Sequence, residues 1–469
     1  MNWILNKFFR ISILLILSFS LVTPVLAQDN QGSGPTYIIQ PGDTLWTIAR
    51  NFHISYNDFL EINGLTSESS IIPGTVLEIP GMEEISGVLS IVNVTYGESL
   101  QSISRRYDVP EGTLVKLNRL TSPVELYVGV SAVLIGEEEV IDKAGKRVSL
   151  APEQSSLELA VLENLNPWDL VITNAQDGEW DLIPGEVLFV RGTDISGPGA
   201  LPEAIQKISY SPRDFIQGHT SVLEVKAPEG TTIQGSLGDY PLYFFTETEM
   251  NYLALQGLHA KENLGLIPLS LSGTLPDGTP FAHTQMVEIN SGNYPYEEIV
   301  NVPLDTVSVK LTDEETELLM NIAEDKTANK FWADDFLSPV PPELSTCWLS
   351  YYGNRRSYNG SGFLYYHTGL DFCGAFGGNI LAPAPGKVVF TGNLPIHGNT
   401  TMINHGWGVY TLYAHQSEFL VQEGDRVNAG DMLGKVGSTG RSSGPHLHWE
   451  VWVGGIQVEP IDWLEGGYP

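Results

Sequence analysis

The sequence predicts a multidomain, mainly β protein with small α+β modules in its first half. The chain has 469 residues, which is long for one domain, and 42% of them are hydrophobic, an ordinary share for globular protein. A pattern of strand, two helices and strand recurs near the N-terminus at an offset of 55 residues. Short strand-like runs fill the rest, and six of the ten histidines fall in the last quarter of the chain.

Residues 1–27 resemble a secretory signal. Lys7 and Arg10 precede an apolar stretch over 11–21, and a small-residue cleavage site ends at Ala27. The alternative is an uncleaved membrane anchor, for which the apolar stretch is rather short. No later run is long and apolar enough to span a membrane, so we expect the mature protein to leave the cytoplasm without a membrane span.

Net charge and cysteine content limit the partners and the compartment. The formal net charge of −32 argues against nucleic acid as a partner. The two cysteines are Cys347 and Cys373. In an oxidising compartment they can pair, which would contribute on the order of 3 kcal/mol, or both can remain free thiols.

Two copies of the N-terminal repeat, residues 36–80 and 91–135, align without a gap. Among the matching pairs are Gly42 and Gly97, Leu45 and Leu100, Ile48 and Ile103, Asn63 and Asn118, and Gly74 and Gly129. In the first copy Asp43 or Thr44 can cap a helix whose apolar residues share one face. The flanking runs are strand-like, so each copy is predicted to fold as βααβ.

A third, degenerate copy is predicted over residues 148–191, at an offset of 111. Asn174 and Gly185 match Asn63 and Gly74. Two core positions fail in this register, however, because Leu45 meets Ser156 and Phe52 meets Glu163.

These repeats resemble the LysM module. The first copy, Gly42-Asp-Thr-Leu-Trp-Thr-Ile-Ala49, is close to the family pattern, and the second is looser. The resemblance implies binding to N-acetylglucosamine-containing glycans such as peptidoglycan, through loops near residues 42–44 and 63–73. From the residues alone, Gly42 equally makes a turn and Asn63 equally caps a helix.

The middle of the chain predicts a spacer. Strand-like runs over residues 205–300, separated by turn signals such as Pro276-Asp-Gly, are typical of an Ig-like β-sandwich. Its histidines are interpreted as structural or surface residues; they are His219, His259 and His283. A helical linker follows over 311–335, and its expected apolar stripe consists of Leu318, Leu319, Ile322 and Ala323. We expect this helix to lie between the sandwich and the C-terminal domain.

The C-terminal domain, residues 336–469, contains the residues that predict chemistry. His367 and Asp371 are four residues apart, close enough to reach one ion. His446 and His448 lie two apart in an apolar strand-like run, so both side chains share one face. His415 ends a second strand-like run. Histidine and carboxylate are the ligands of catalytic zinc, which keeps a position open for water.

This constellation resembles the lysostaphin/LytM-type zinc metallopeptidases. His-x-x-x-Asp, Tyr-Ala-His and His-x-His occur in the family order, and the resemblance covers about residues 345–465. It implies that Zn²⁺ is bound by three ligands: His367, Asp371 and His448. It also implies catalytic roles for His415 and His446, either both as donors to the oxyanion or one as a general base.

The other two histidines of this domain match no ligand position of the family. His405 is expected at a turn or strand end, and His397 in an exposed loop, although it could lie near the groove. Arg441, Asn404 and residues 351–366 are candidates to line the groove and are equally ordinary surface residues.

The sequence thus predicts a secreted zinc-dependent peptidoglycan endopeptidase, which LysM modules hold on the glycan and which cleaves peptide stems or cross-bridges. One alternative is a non-catalytic wall-binding regulator of another hydrolase, since some relatives keep the fold and lose ligands. Another is a metallopeptidase that acts on a non-wall protein. A preceding segment masks the zinc in some relatives, so the helix within 311–335 is also a candidate latency element.

Overall fold

The computed structural model describes residues 34–67, 69–82, 85–136, 145–174, 176, 178, 182–190, 197–212 and 214–469. It confirms the predicted class, with small α/β modules near the N-terminus and a β-sheet domain at the C-terminus. The predicted signal sequence over 1–27 lies outside the described residues. Within the described ranges, no helix has the length and apolar character needed to cross a membrane.

The first two repeats fold as predicted and share one sheet. Their elements are β1 (Thr36–Ile38), α1 (Leu45–Asn51), α2 (Tyr56–Ile62), β2 (Val76–Glu78), β3 (Val88–Asn93), α3 (Leu100–Tyr107), α4 (Glu111–Leu117) and β4 (Ser131–Gly136). The sheet order is β2–β1–β3–β4, and the repeats meet where β1 and β3 pair in parallel. Thr44 and Ser99 cap α1 and α3, each through a capping box.

The predicted third copy has the same order of elements: β5 (Lys146–Ser149), α5 (Ser156–Leu162), α6 (Pro167–Thr173) and β6 (Val187–Val190). The two mismatched positions are accommodated without a shift of register. Ser156 is the first residue of α5, as Leu45 is of α1. Glu163 follows the helix and forms an ion pair of 3.0 Å with Lys146 on β5.

One asparagine has the same structural role in all three units. The side-chain amide of Asn63 donates to the carbonyls of Phe59 and Glu78, and its oxygen accepts from the Glu78 amide at 2.8 Å. Asn118 and Asn174 make the equivalent three bonds. Each asparagine therefore ties the second helix of its unit to the last strand.

The middle region contains two facing sheets. Their strands are β7 (Lys207–Ser211), β8 (Phe215–Ile216), β9 (Thr220–Lys226), β10 (Thr232–Leu237), β11 (Tyr240–Leu242), β12 (Phe245–Thr248), β13 (Asn251–Gly257), β14 (Gly265–Thr274) and β15 (Pro280–Asn290). One sheet has the order β11–β10–β14–β15–β8 and the other β12–β13–β9–β7. Alternate residues such as Leu223 and Val225 enter the core between them, as the period of two requires.

This region shares buried surface with both of its neighbours. Leu253 and Leu255 of β13 belong to the hydrophobic core of the C-terminal domain, so the second sheet is covered on both faces. On the other side, the Tyr96 hydroxyl in the second repeat donates to the His283 carbonyl at 2.9 Å. Repeat, sandwich and C-terminal domain are therefore joined by packed contacts.

The C-terminal region is built around one large sheet. Its elements are β16 (Tyr296–Ile299), α7 (Val309–Ile322), β17 (Trp348–Ser350), β18 (Arg355–Tyr358), β19 (Tyr365–Tyr366), β20 (Leu370–Cys373), β21 (Asn379–Leu381), β22 (Gly386–Leu394), β23 (Gly398–Gly406), β24 (Val409–Ala414), β25 (Gln416–Phe419), β26 (Arg426–Val427), β27 (Met432–Val436), β28 (His446–Val453), β29 (Ile456–Val458) and α8 (Pro460–Leu464). The order of the large sheet is β17–β20–β28–β24–β23–β22–β26. One face, with Tyr413 and Trp449, packs on the main core, while the other carries Leu412 and Trp452 under α7.

Helix α7 differs from its prediction in the face it buries. Leu319 and Ala323 are buried as expected, against Met402, Leu412 and Trp452. The prediction for Leu318 is wrong, since 45% of this residue is exposed. Glu315 is buried instead, and the backbone amides of Ile396 and His397, between β22 and β23, donate to its carboxylate.

The two cysteines form a disulfide. Cys347 and Cys373 are bonded, with their Cα atoms 5.4 Å apart. The bond joins the segment before β17 to the end of β20, two residues after Asp371. Cys373 is thereby engaged in the bridge and is not free to bind a metal ion.

Candidate functional site

The register of two strand pairs assembles the site. In the antiparallel pair β20–β28, Asp371 lies directly opposite His448. In the pair β24–β28, Ala414 lies opposite the same histidine, which places His415 at the adjoining strand end. His367 comes from the turn just before β20. Three sequence-distant motifs therefore meet at one point on the sheet, all of them buried.

Three atoms at this point have the spacing of metal ligands. His367 Nε2 lies 3.0 Å from Asp371 Oδ1 and 3.0 Å from His448 Nδ1, and the last two atoms are 2.9 Å apart. An ion about 2 Å from each atom suits such a triangle, and two histidines with one carboxylate suit zinc. The residues therefore fit a metal ion with one position left for water or substrate.

The outer nitrogens of both histidines are already engaged. His367 Nδ1 donates to the Tyr351 carbonyl at 2.8 Å, and His448 Nε2 donates to Glu450 at 2.9 Å. Each ring therefore turns a lone pair toward the triangle. Burial, together with the nearby charge of Arg356, lowers the pKa of His367 to about 4, which keeps its ligand nitrogen free of a proton.

Arg356 is a site residue that sequence reasoning did not single out. It is buried, and its Nη2 donates to Asp371 Oδ2 at 2.9 Å while its Nε donates to Glu297 at 3.1 Å. Burial works against ionisation of Asp371, but the neighbouring His367 and the Arg356 guanidinium hold the pKa of its carboxyl well below the usual range. Asp371 therefore keeps Oδ1 charged and free to face the triangle.

His415 and His446 lie beside the triangle, and each is anchored through Nδ1 to a backbone carbonyl. Their ring centroids are 4.9 Å apart. His415 Nδ1 donates to the Thr439 carbonyl at 2.7 Å, and His446 Nδ1 donates to the Gly444 carbonyl at 2.8 Å. Both rings therefore have Nε2 free of these backbone bonds, and His446 Nε2 lies 3.6 Å from Asp371 Oδ1.

Backbone geometry and burial both act on His415. Its φ of 58° lies in the left-handed region, which costs about 1–3 kcal/mol for a residue other than glycine and is concentrated at functional sites. Burial, with the neighbouring histidines, lowers its pKa well below the ordinary value. The neutral ring has its proton on Nδ1, so Nε2 is an acceptor.

A glycine allows the loop that orients His415 to come close. Gly398 has a φ of +64°, and a Cβ at this position would collide with the backbone and side chain of Thr439. Without a side chain, the start of β23 accepts the 437–440 loop and brings the Thr439 carbonyl to His415. This is a close approach that only glycine permits.

The remaining histidines of the domain are buried. The expectation that His397 is exposed is wrong, since it is 8% exposed and its ring lies between Glu315 and Glu450. The alternative position near the groove is confirmed, because His397 lines the cavity beside the site. Burial opposes its charge, but these two carboxylates raise its pKa to about 10. His405 lies near the end of β23, as expected, with hydrogen bonds to Pro385 and Thr411.

A cavity of about 250 Å³ opens onto His367, His415 and His448. Its walls include residues 356–368, helix α7, the sandwich loop that carries His259 and Lys261, the 396–397 turn and Arg441. His259 was interpreted as a structural or surface residue, and nothing in its local sequence signals a position beside the site. It holds the Tyr366 hydroxyl at 3.0 Å.

Of the residues predicted to line the groove, some face the cavity and one does not. Arg441 lines the cavity, with its guanidinium 4.3 Å from the centre of the Tyr358 ring and 3.0 Å from the Thr312 hydroxyl of α7. Asn404 does not line this cavity; it is buried and donates to the Tyr410 hydroxyl. Much of the 351–366 segment does face the cavity, through Arg356, Tyr358, Leu364, Tyr365 and Tyr366.

Comparisons with protein families agree with both resemblances. Residues 365–460 match Peptidase family M23, and residues 37–80 and 92–130 match the LysM domain. The chain therefore carries LysM domains and a C-terminal peptidase M23 domain.

Curated relatives match the C-terminal region. DD-carboxypeptidase/endopeptidase Mpg of Neisseria meningitidis is 47% identical over 95 residues, which is 20% of this chain and 22% of the relative. Peptidoglycan DD-endopeptidase ShyA of Vibrio cholerae is 39% identical over 103 residues, 22% of this chain and 23% of the relative. Murein hydrolase activator NlpD of Escherichia coli is 40% identical over 99 residues, 21% of this chain and 26% of the relative. The chain thus spans about a quarter or less of these relatives' lengths.

A similar solved structure is that of a putative peptidase M23 from Pseudomonas aeruginosa. It is 22% identical, with a TM-score of 0.38, and the match covers 54% of this chain and 96% of that one.

Proposed function

We propose that this chain is a secreted, zinc-dependent endopeptidase that hydrolyses the peptide stems or cross-bridges of peptidoglycan. One observation carries the proposal: three ligand atoms of the right chemistry lie within about 3 Å of one another, beside two histidines whose Nε2 atoms are not used by the backbone. The M23 match over the same residues supports it.

The zinc would be held by His367, Asp371 and His448. When bound, it would supply Lewis acidity and lower the pKa of a water molecule toward neutral pH. The residues beside it handle protons. His415 is neutral, and its Nε2 can accept the proton that leaves the attacking water. The resulting imidazolium can then donate to the oxygen on which charge develops. When both of its ring nitrogens carry protons, His446 can donate from Nε2 to the same oxygen or to the leaving amine.

The LysM modules would hold the enzyme on glycan strands, which raises the local concentration of stems at the cavity. The Asn63 side chain is occupied by three internal hydrogen bonds, so it supports the module rather than the ligand. We therefore place glycan recognition on the rest of the 63–73 loop and on residues 42–44. Glycan binding by the third unit stays a prediction.

The competing function is a non-catalytic regulator of another wall hydrolase. Relatives named as endopeptidases and a relative named as an activator all match this region, so sequence identity does not choose between the two functions. The complete set of ligand atoms favours the enzyme, because a regulator has no need of it.

The test is digestion of purified peptidoglycan by the mature chain, with and without a chelator, read by mass spectrometry of the released fragments. We expect cleavage that chelation abolishes. His448→Ala should lose both zinc and activity, and His415→Ala should keep zinc and lose turnover. A zinc-loaded wild-type chain that releases no fragments would refute the proposal and favour the regulator.

A further inference from the structure

Helix α7 contributes a buried carboxylate to the sheet that carries the site. Glu315 is 4% exposed, although its helix is acidic and mostly solvent-facing. Its carboxylate accepts from the backbone amides of Ile396 at 2.6 Å and His397 at 2.9 Å, and from His397 Nδ1. A buried carboxylate costs several kcal/mol unless donors compensate, and these three donors are all on the segment between β22 and β23.

The other ring nitrogen of His397 contacts a second carboxylate, that of Glu450. Its Nε2 lies 3.0 Å from Glu450 Oε1, and Glu450 has no exposed surface. Glu450 Oε2 accepts from the Trp452 indole at 2.7 Å, so both of its oxygens are fixed. Because a carboxylate oxygen faces each ring nitrogen of His397, both nitrogens carry protons and donate hydrogen bonds.

Glu450 in turn determines which nitrogen His448 offers to the site. Its Oε1 accepts from His448 Nε2 at 2.9 Å, and this bond leaves His448 Nδ1 as the lone-pair nitrogen toward Asp371. A histidine can ligate through either nitrogen, and the partner of the other nitrogen makes the choice. Buried side chains therefore connect Glu315 on α7 to His448 through three direct contacts, by way of His397 and Glu450.

The same atoms contain a second possible set of metal ligands. His397, His448 and Glu450 also have the spacing of a metal-binding group. That group would need His448 Nε2 and His397 Nε2 as lone pairs. Both nitrogens would then lose the protons that they donate to Glu450. It therefore competes with the first triangle for His448.

We infer that Glu315 and His397 are positioning residues that fix Glu450, and through it the metal-binding tautomer of His448. Helix α7 is on this view part of the metal centre rather than a linker to it. The inference rests on the proposed function, because it assumes zinc at His367, Asp371 and His448.

The experiment compares zinc affinity in the full mature chain by competition with a chelator of known affinity. The variants are Glu315→Gln, which keeps shape and loses charge, and His397→Gln, which breaks the bridge. Glu317→Gln makes the same change at an exposed position of α7 and serves as the matched control. We expect affinity to fall by about 10-fold or more in both test variants, the range typical of lost outer partners, and not in the control.

Nitrogen-15 NMR of histidine-labelled wild-type chain gives a readout that does not depend on any variant folding. We expect both ring nitrogens of His397 to carry protons, and His448 in the zinc-loaded chain to be protonated at Nε2 and metal-bound at Nδ1. A zinc-bound His448 Nε2, or a lone pair on His397, would overturn the inference.

The outcomes separate the two proposals. A wild-type chain that binds no zinc would refute the proposed function and the inference together. Wild-type binding with unchanged affinity in Glu315→Gln and His397→Gln would refute the inference alone. A rise in turnover at unchanged affinity would also refute it, and would show that α7 covers the groove instead.

Discussion

Glu459 makes the stability of the junction between sandwich and peptidase domain depend on pH. Its amide donates to the Gly218 carbonyl of the sandwich at 2.7 Å, and its carboxylate accepts from the Ile461 amide at the start of α8. Burial raises the pKa of its carboxyl from 4.5 to about 7. The folded chain therefore keeps a proton that the unfolded chain releases between these two values.

The sign and size of the effect follow from proton linkage. Between pH 4.5 and about pH 7 the folded state binds more protons, so its stability falls as pH rises, and the loss is complete above the folded pKa. Two to three pKa units correspond to about 3 kcal/mol, and partial exposure reduces this to about 2 kcal/mol. Glu459→Gln cannot ionise but keeps the oxygen that caps α8. It should match the wild type below pH 4.5 and be more stable above pH 7.

Thermal unfolding of both chains across this pH range measures the difference. About 2 kcal/mol corresponds to a midpoint roughly 4–8 °C higher for the variant at the alkaline end. Glu423→Gln changes an exposed glutamate of the same domain that does not act on Glu459, and it should shift the midpoint little at any pH. A Glu459→Gln difference that does not vary with pH, or a variant less stable at the alkaline end, would refute the reasoning.

Other substitutions test the supports of the site and of the modules. Arg356→Met should destabilise the metal-free chain by about 3–5 kcal/mol, because it leaves the carboxylate of Asp371 buried without its cation; a chelated sample studied by denaturant unfolding would show this, and a loss under about 1 kcal/mol would contradict it. Replacing both Cys347 and Cys373 with serine should cost about 3–4 kcal/mol, given a loop of 26 residues, and a thermal midpoint equal to that of the oxidised wild type would count against this. Asn63→Ala should cost the first LysM module about 1–3 kcal/mol, seen as early loss of hydrogen-exchange protection in α2, and unchanged protection would show that its three bonds are dispensable.

Local patterns predicted much of the fold. Repeat spacing predicted the helices and strands of the LysM units, and strand-like runs separated by turn signals predicted strands of the sandwich such as β9 and β14. The short motifs around His367 and His448 could be recognised as metal-binding because the ligand residues of each motif lie within five residues of one another. Their meeting depends only on the pairing of two adjacent strands, β20 and β28.

The outer part of the site could not be predicted in this way. Glu315 and His397 are 82 residues apart, and each resembles an ordinary surface residue in its own segment. Their burial follows from a pairing between a helix and a strand end, which leaves no periodic signature in either sequence. The role of Arg356 in the site was not predicted for the same reason, since its partners Glu297 and Asp371 lie on separate strands.

The sandwich that joins the modules to the peptidase domain gives the molecule a fixed reach. Its second sheet is buried on both faces, and the second LysM unit is hydrogen-bonded to its first sheet. Under the proposed function, a flexible tether would let the cleft sample any stem within a sphere. A rigid connection would instead fix the distance and the orientation between the LysM modules and the cleft. Only stems at one spacing and one rotation along the anchored glycan would then enter the cleft. Selection of the bond to be cut would then depend on the geometry of the wall as well as on the residues of the groove.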